Sequence, residues 1–307
     1  MGVRTLFLAI AVLGAAHSPA AKPNPWVVAV ESNLTFSLNT YSSNWVGSET
    51  GTFSWTGQLL ATAEKQLHEK LISANRLKLA FGQTKTQHPD TDRWSRPVKS
   101  TDLIDLETVK RFTLGGWVDP FVSAQMISQF LHQYRYENAT AQQSRYLNPV
   151  ELTESFGVAR EFVKTDQLQL ASRLGGAFKQ RIDRRDEGRN VVAGDQIVAV
   201  RRTTNGGGIE SVTDLRVAHS SNVISYSSRL ALYAALFRVD APQDNNDWRH
   251  PDVNWENTLS VNFARYLMIR LYVQLLYDKE VATRVRFSET LSAGLSYTVR
   301  LPAPEKE

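Results

Sequence analysis

The sequence predicts an all-β fold, a transmembrane antiparallel up-and-down β-barrel of about twelve strands. Three observations carry this. Apolar and polar residues alternate with period two along most of the chain, as in "VNWENTLSVNF" at 253–263. The gaps between alternating stretches are short and long by turns. Aromatic residues gather near the ends of those stretches.

Side chains point to opposite faces at successive strand positions, so each alternating stretch has one greasy and one wet face. Leu34, Phe36 and Leu38 form the first such face, and Phe53, Trp55, Leu59 and Ala61 the second. Leu77, Leu79 and Phe81 follow; 102–113 is ambiguous, since Leu103 and Val109 oppose Ile104, Leu106 and Phe112, and 117–131 is apolar on both sides. Alternation resumes with Leu152, Phe156, Val158 and Phe162, then Leu168, Leu170, Leu174 and Phe178, then a weaker strand at 212–219. Ile224, Tyr226, Leu230, Leu232 and Leu236 precede 253–263, and Leu267 to Tyr277 and Phe287 to Leu301 complete the set. Most stretches approach the ~10 residues a tilted strand needs to cross a bilayer.

Short connections are expected near 64–70, 114–116, 163–167, 220–222 and 264–266. Longer ones are expected at 40–50, 83–101, 132–150, 179–208 and 238–251, with a modest one at 278–284. Short turns at one end and long loops at the other are the outer-membrane pattern. Trp26, Trp45, Trp117, Trp255, Tyr266 and Tyr277 lie where interfacial girdles sit. A soluble sandwich or lipocalin-like barrel also alternates, but it gives no reason for loops to segregate by length.

"MGVRTLFLAIAVLGAAHSPAA" places Arg4 before an apolar run too short for a spanning helix, followed by small residues. That order predicts a signal peptide over 1–21, a barrel over 22–301 and a polar tail over 302–307. An N-terminal core helix is the competing reading. The expected location is the outer membrane with both termini periplasmic. The chain has 307 residues, no Cys and a net charge of +4. Thiolate chemistry, disulfides and Cys-based zinc sites are excluded, and the scattered cations argue against nucleic-acid binding.

"RYLNPVEL" (145–152), "VNWENTLSVNFARYL" (253–267), "QLLYDKE" (274–280) and "ETLSAGLSYTV" (289–299) resemble a Gram-negative outer-membrane family, domain of unknown function 3078, found chiefly in Bacteroidetes-type bacteria. "LTFSLNTYSSNWVGSE" (34–49) is similar to that family's opening strand and Asn-Trp loop. The resemblance implies an outer-membrane barrel, no assigned activity and no catalytic residues. The chain departs from the family in its 179–208 loop and its tail, "LPAPEKE".

The wet faces supply the candidate site. Arg76, Lys78, Arg160, Arg229, Arg270 and Arg286, with Glu154 and Glu256, are expected to face the lumen. Such residues either line a narrow aqueous path or pair across the lumen and close it. Cations outnumber acids in this set, so an open path would favour anions. The expected function is a structural or transport barrel, without cofactor or metal. Its expected partners are outer-membrane lipid and lipopolysaccharide, the barrel assembly machinery and small solutes.

Two alternatives compete with that function: a lipid-modifying barrel enzyme and a secreted soluble all-β binding protein. For the enzyme, His132 with Ser128, near Tyr134 and Glu137, is the candidate constellation. The acidic stretch 240–252 lacks the Gly and closing Glu of a calcium loop, and "NGGG" at 205–208 lacks the Lys of a phosphate loop. The latter reads as a loop tip. Arg181, Arg184, Arg185 and Arg189 are candidates for lipopolysaccharide phosphate.

Overall fold

The computed structural model describes residues 26–39, 51–88, 93–131, 133–135, 138–144, 146–165, 167–187, 198–219, 223–239, 246–263, 266–280 and 282–301. The expected signal peptide and the tail lie outside them.

Fourteen strands are described: β1 (Val27–Asn39), β2 (Thr52–His68), β3 (Leu71–Thr86), β4 (Val98–Phe112), β5 (Asp119–Ser128), β6 (Gln133–Arg135), β7 (Asn138–Ser144), β8 (Val150–Lys164), β9 (Leu168–Glu187), β10 (Val198–His219), β11 (Ile224–Val239), β12 (Asp252–Asn262), β13 (Leu267–Tyr277) and β14 (Arg286–Leu301). Twelve form one closed antiparallel barrel, while β6 and β7 pair only with each other. Every barrel strand lies beside its neighbours in sequence once that small hairpin is set aside. β1 and β14 join the two ends of the sheet, from Val28 opposite Leu301 to Phe36 opposite Ala293. Closure leaves no free sheet edge, the condition for backbone surrounded by hydrocarbon.

The wall is inside out by the standard of a soluble protein. Phe156, Leu236 and Leu291 are 68%, 66% and 69% exposed, whereas Asp105, Glu107 and Glu210 are buried. Leu259 is opposite Leu271, which is opposite Leu291, so the apolar phase continues across strands on the outer face. So wide an apolar belt on the outside and charges on the inside suit lipid, since water would not tolerate that belt. The fold is a transmembrane barrel.

Aromatic residues mark the turn end. The Arg160 guanidinium stacks 4.6 Å from the Trp117 ring centre, Lys65 lies 5.8 Å from that of Trp26, and Tyr266 meets Tyr297 at 6.2 Å. Their amphipathic rings fit a membrane–water boundary.

Two expected loops are shorter than the sequence suggested, and a third carries a small hairpin. β9 runs to Glu187 and β10 starts at Val198, so most of 179–208 is strand. The hairpin outgrows its neighbours, because the last β8 partner on β9 is Ile182. Asn205 to Gly208 is accordingly no loop tip. The glycines sit inside β10, where the register slips at Gly207 and Gly208. A Cβ on Gly208 would stand 2.2 Å from the Ala234 carbonyl oxygen, so the bulge needs a residue without one. β3 and β4 likewise take residues from both ends of 83–101, and β6 and β7 occupy part of 132–150.

Candidate functional site: the charge network across the lumen

The lumen is organised around one carboxylate on β4. Glu107 receives the Arg229 guanidinium through both oxygens, at 2.8 and 2.9 Å, and the Arg76 Nε at 3.1 Å. Arg173 donates to it as well. The Glu107 side chain is only 4% exposed. β4 and β11 stand five places apart in the ring of twelve, so the Glu107–Arg229 bond joins nearly opposite walls. Arg173 reaches the same carboxylate from β9. Three guanidinium groups on one acid leave none of its lone pairs idle, which offsets the large penalty of burying the charge.

Other pairs extend the network. Arg76 also bonds Asp105 at 2.9 Å, whose other oxygen accepts from Gln125 at 2.9 Å. Arg229 bonds Asp214 at 3.0 Å on the neighbouring β10. Lys78 on β3 meets Glu256 on β12 at 2.6 Å, a second bond between nearly opposite walls. On the β1 side, Arg270 bonds Glu31 at 2.5 Å and Gln58 at 2.6 Å.

Farther towards the long loops, Ser155 donates to Glu210 at 2.6 Å, and Lys179 pairs with Asp252 at 3.5 Å. Lys179 also lies 3.5 Å from the Tyr233 ring centre. Towards the turns, Lys164 pairs with Glu64 at 3.2 Å and Arg111 with Glu161 at 3.2 Å. Opposite charges thus meet at several levels of the lumen.

The sequence-derived set divides in three. Arg76, Lys78, Arg229, Glu256 and Arg270 meet in the network as described. Arg286 has the lumen phase of Ser288 and Ser292, but its Nε is buried without a hydrogen-bond partner among the described residues. Glu154 and Arg160 are corrections. Both share the phase of Phe156 and Val158, opposite to Ser155, and so belong to the outer wall. Glu154 is exposed there, and Arg160 donates to the Trp117 carbonyl at 3.3 Å within the aromatic girdle.

Glu31, Asp105, Glu107, Arg173 and Asp214 escaped the sequence reading. Arg173 had a signal, since it opposes the Leu168, Leu170, Leu174 face. Asp105, Glu107 and Arg111 share one phase of β4, masked by the apolar Leu103 and Val109 in that same phase. With these acids included, the five central cations (Arg76, Lys78, Arg173, Arg229, Arg270) meet five carboxylates (Glu31, Asp105, Glu107, Asp214, Glu256). The cation excess from which an anion-favouring path was expected does not hold at this level.

Of the hydrolase constellation, His132 lies outside the described residues. The Ser128 hydroxyl is buried and donates to the Pro149 carbonyl at 2.9 Å. In the acidic stretch, 240–245 lies outside the described residues, while Asp247 pairs with Lys279 at 3.1 Å. Arg181 pairs with Glu151 at 2.5 Å. The side chains of Arg184, Arg185 and Arg189 lie outside the described residues.

No family model matches the chain, and no curated protein matches it. Among solved structures it is similar to an outer membrane channel from Pseudomonas putida F1, with a TM-score of 0.42 and 11% identity over 94% of this chain and 100% of that one. It is similar also to the translocator domain of the autotransporter NalP from Neisseria meningitidis, with a TM-score of 0.39 and 11% identity over 92% of this chain and 90% of that one. A third likeness is to the CymD monoaromatic hydrocarbon channel, with a TM-score of 0.33 and 10% identity over 91% of this chain and 88% of that one.

Proposed function

We propose that the chain is a non-enzymatic outer-membrane barrel whose resting lumen is barred by its own ion pairs. Its role is structural, or transport that proceeds only when the bar is displaced. The observation that carries this reading is Glu107, held at once by arginines from β3, β9 and β11. A standing water path would separate these charges; here they touch across the barrel. The short turns and both chain ends face the periplasm in this reading, the long loops face outward, and lipopolysaccharide surrounds the loop end. Insertion would depend on the barrel assembly machinery, as for other barrels built from antiparallel hairpins.

Planar-bilayer recording tests the proposal. The purified barrel, shown to be folded by its heat-dependent migration on a detergent gel, is expected to give no steady conductance. A stable open channel in the unmodified protein would overturn the barred-lumen reading. A band that does not move on boiling would overturn the barrel itself.

A further inference from the structure

A shallow groove interrupts the apolar wall where β14, β1, β2 and β3 meet. Two small residues make its floor. Ser32 lies between Tyr297 and Leu59 in the cross-strand row, and Gly57 lies between Leu34 and Phe81, all in the outward phase. On the side nearer the turns the cleft holds about 270 Å³ and is walled by Tyr266, Leu295 and Tyr297. A second cleft of about 300 Å³ begins at the same Ser32 and passes Gly57, Leu59, Leu79 and Phe81 to end at Phe130. The two clefts meet at Ser32 and Asn33 and together cross the wall from β14 to β3.

The far end of the track is built by the chain folding back on itself. Asp102, opposite Phe81 and therefore outward, accepts the backbone N–H groups of Phe130 at 2.6 Å and Leu131 at 3.0 Å. Lys99 ties Asp102 to Gln129 at 2.8 and 3.1 Å. This staple holds Phe130 against the wall as a stop. The near end carries the paired rings of Tyr266 and Tyr297 at the turn-side girdle, where phenol hydroxyls meet headgroups.

We infer that this groove is a seat for one phospholipid of the turn-side leaflet, with its headgroup at Tyr266 and Tyr297 and an acyl chain lying along Ser32 and Gly57 towards Phe130. The inference rests on the membrane reading of the wall. The groove is continuous with the lipid-facing belt, so hydrocarbon is the solvent at its mouth. A polar end at the interface and an apolar track from it match the two parts of a phospholipid. Ordinary annular lipid slides past a convex wall, whereas a chain laid along this floor also meets the flanking side chains and gains dispersion contacts.

Native mass spectrometry of the whole mature barrel, released from micelles after incubation with phosphatidylethanolamine, tests this. A Cβ at Gly57 would meet only the Phe81 carbonyl oxygen, at 3.9 Å, so the backbone has room for a side chain and Gly57→Leu is chosen to fill the track. The unmodified barrel is expected to retain one phospholipid at activation energies that strip the rest. Gly57→Leu should lose that adduct at least tenfold, while Ala234→Leu on the outer face of β11 should keep it. Absence of a retained lipid on the unmodified barrel, or equal retention by Gly57→Leu, would overturn the seat. All three proteins must first show heat-dependent migration; its absence would instead defeat the membrane-barrel reading.

Discussion

Glu107 and Leu291 show how differently the two faces of one wall respond to substitution. Glu107→Gln removes the charge on which three guanidinium groups converge and leaves them facing one another in a small volume. Breaking one partner from such a buried set costs about 3–5 kcal/mol, and urea unfolding of the barrel in lipid should register it. Lys164→Ala, at the half-exposed pair with Glu64, should change the same measurement by less than ~1 kcal/mol. Leu291→Arg, on the outer wall, should cost about 2–4 kcal/mol, because the guanidinium enters hydrocarbon. Were lipid not outside, that arginine would be solvated and nearly neutral in effect.

At the scale of the strand, Gly208 sets the coiling of β10 on β11. Gly208→Val drives its branched side chain into the Ala234 carbonyl, and the register slip cannot form. The expected outcome is a smaller fraction of heat-modifiable protein after refolding into micelles, with Gly57→Leu as a tolerated comparison. The same bulge explains why the sequence misled at 205–208. Three glycines in a row favour a turn, and the backbone's demand for close approach inside a strand leaves the same trace. β12, β13 and β14 were legible because their alternation is nearly unbroken: Asn257 and Glu289 interrupt the apolar face, and Met268 and Leu276 the polar one. β4 was not, since its inward phase mixes Leu103 and Val109 with Asp105, Glu107 and Arg111; a lumen filled by side chains accepts apolar residues as readily as ion pairs. Glu154 and Arg160 misled for the converse reason. The outer wall tolerates a charge near an interface, and such a charge carries no mark of which way it points.

For the molecule as a whole, strand number, closure and the alternation of turns with loops were all legible in the sequence. The balance of charge in the lumen was not, because it depends on which strands face one another across the ring. In the proposed reading, that balance governs conduction. Glu107→Ala should free Arg76, Arg173 and Arg229 from their common partner and convert a silent barrel into a conducting one, with a reversal potential in a KCl gradient that favours chloride. Continued silence of a folded Glu107→Ala barrel would mean that the bar lies elsewhere in the lumen. All of this presupposes that lipid covers the outer face. The chain has no cysteine, so single substitutions from Met268→Cys to Leu276→Cys along β13 place one nitroxide at a time in liposomes. Accessibility to dissolved oxygen should alternate with period two, high at Ile269, Leu271, Val273 and Leu275 and low at Met268, Arg270, Tyr272 and Gln274. A flat profile, or one with the opposite phase, would contradict a lipid-covered wall around a charged lumen.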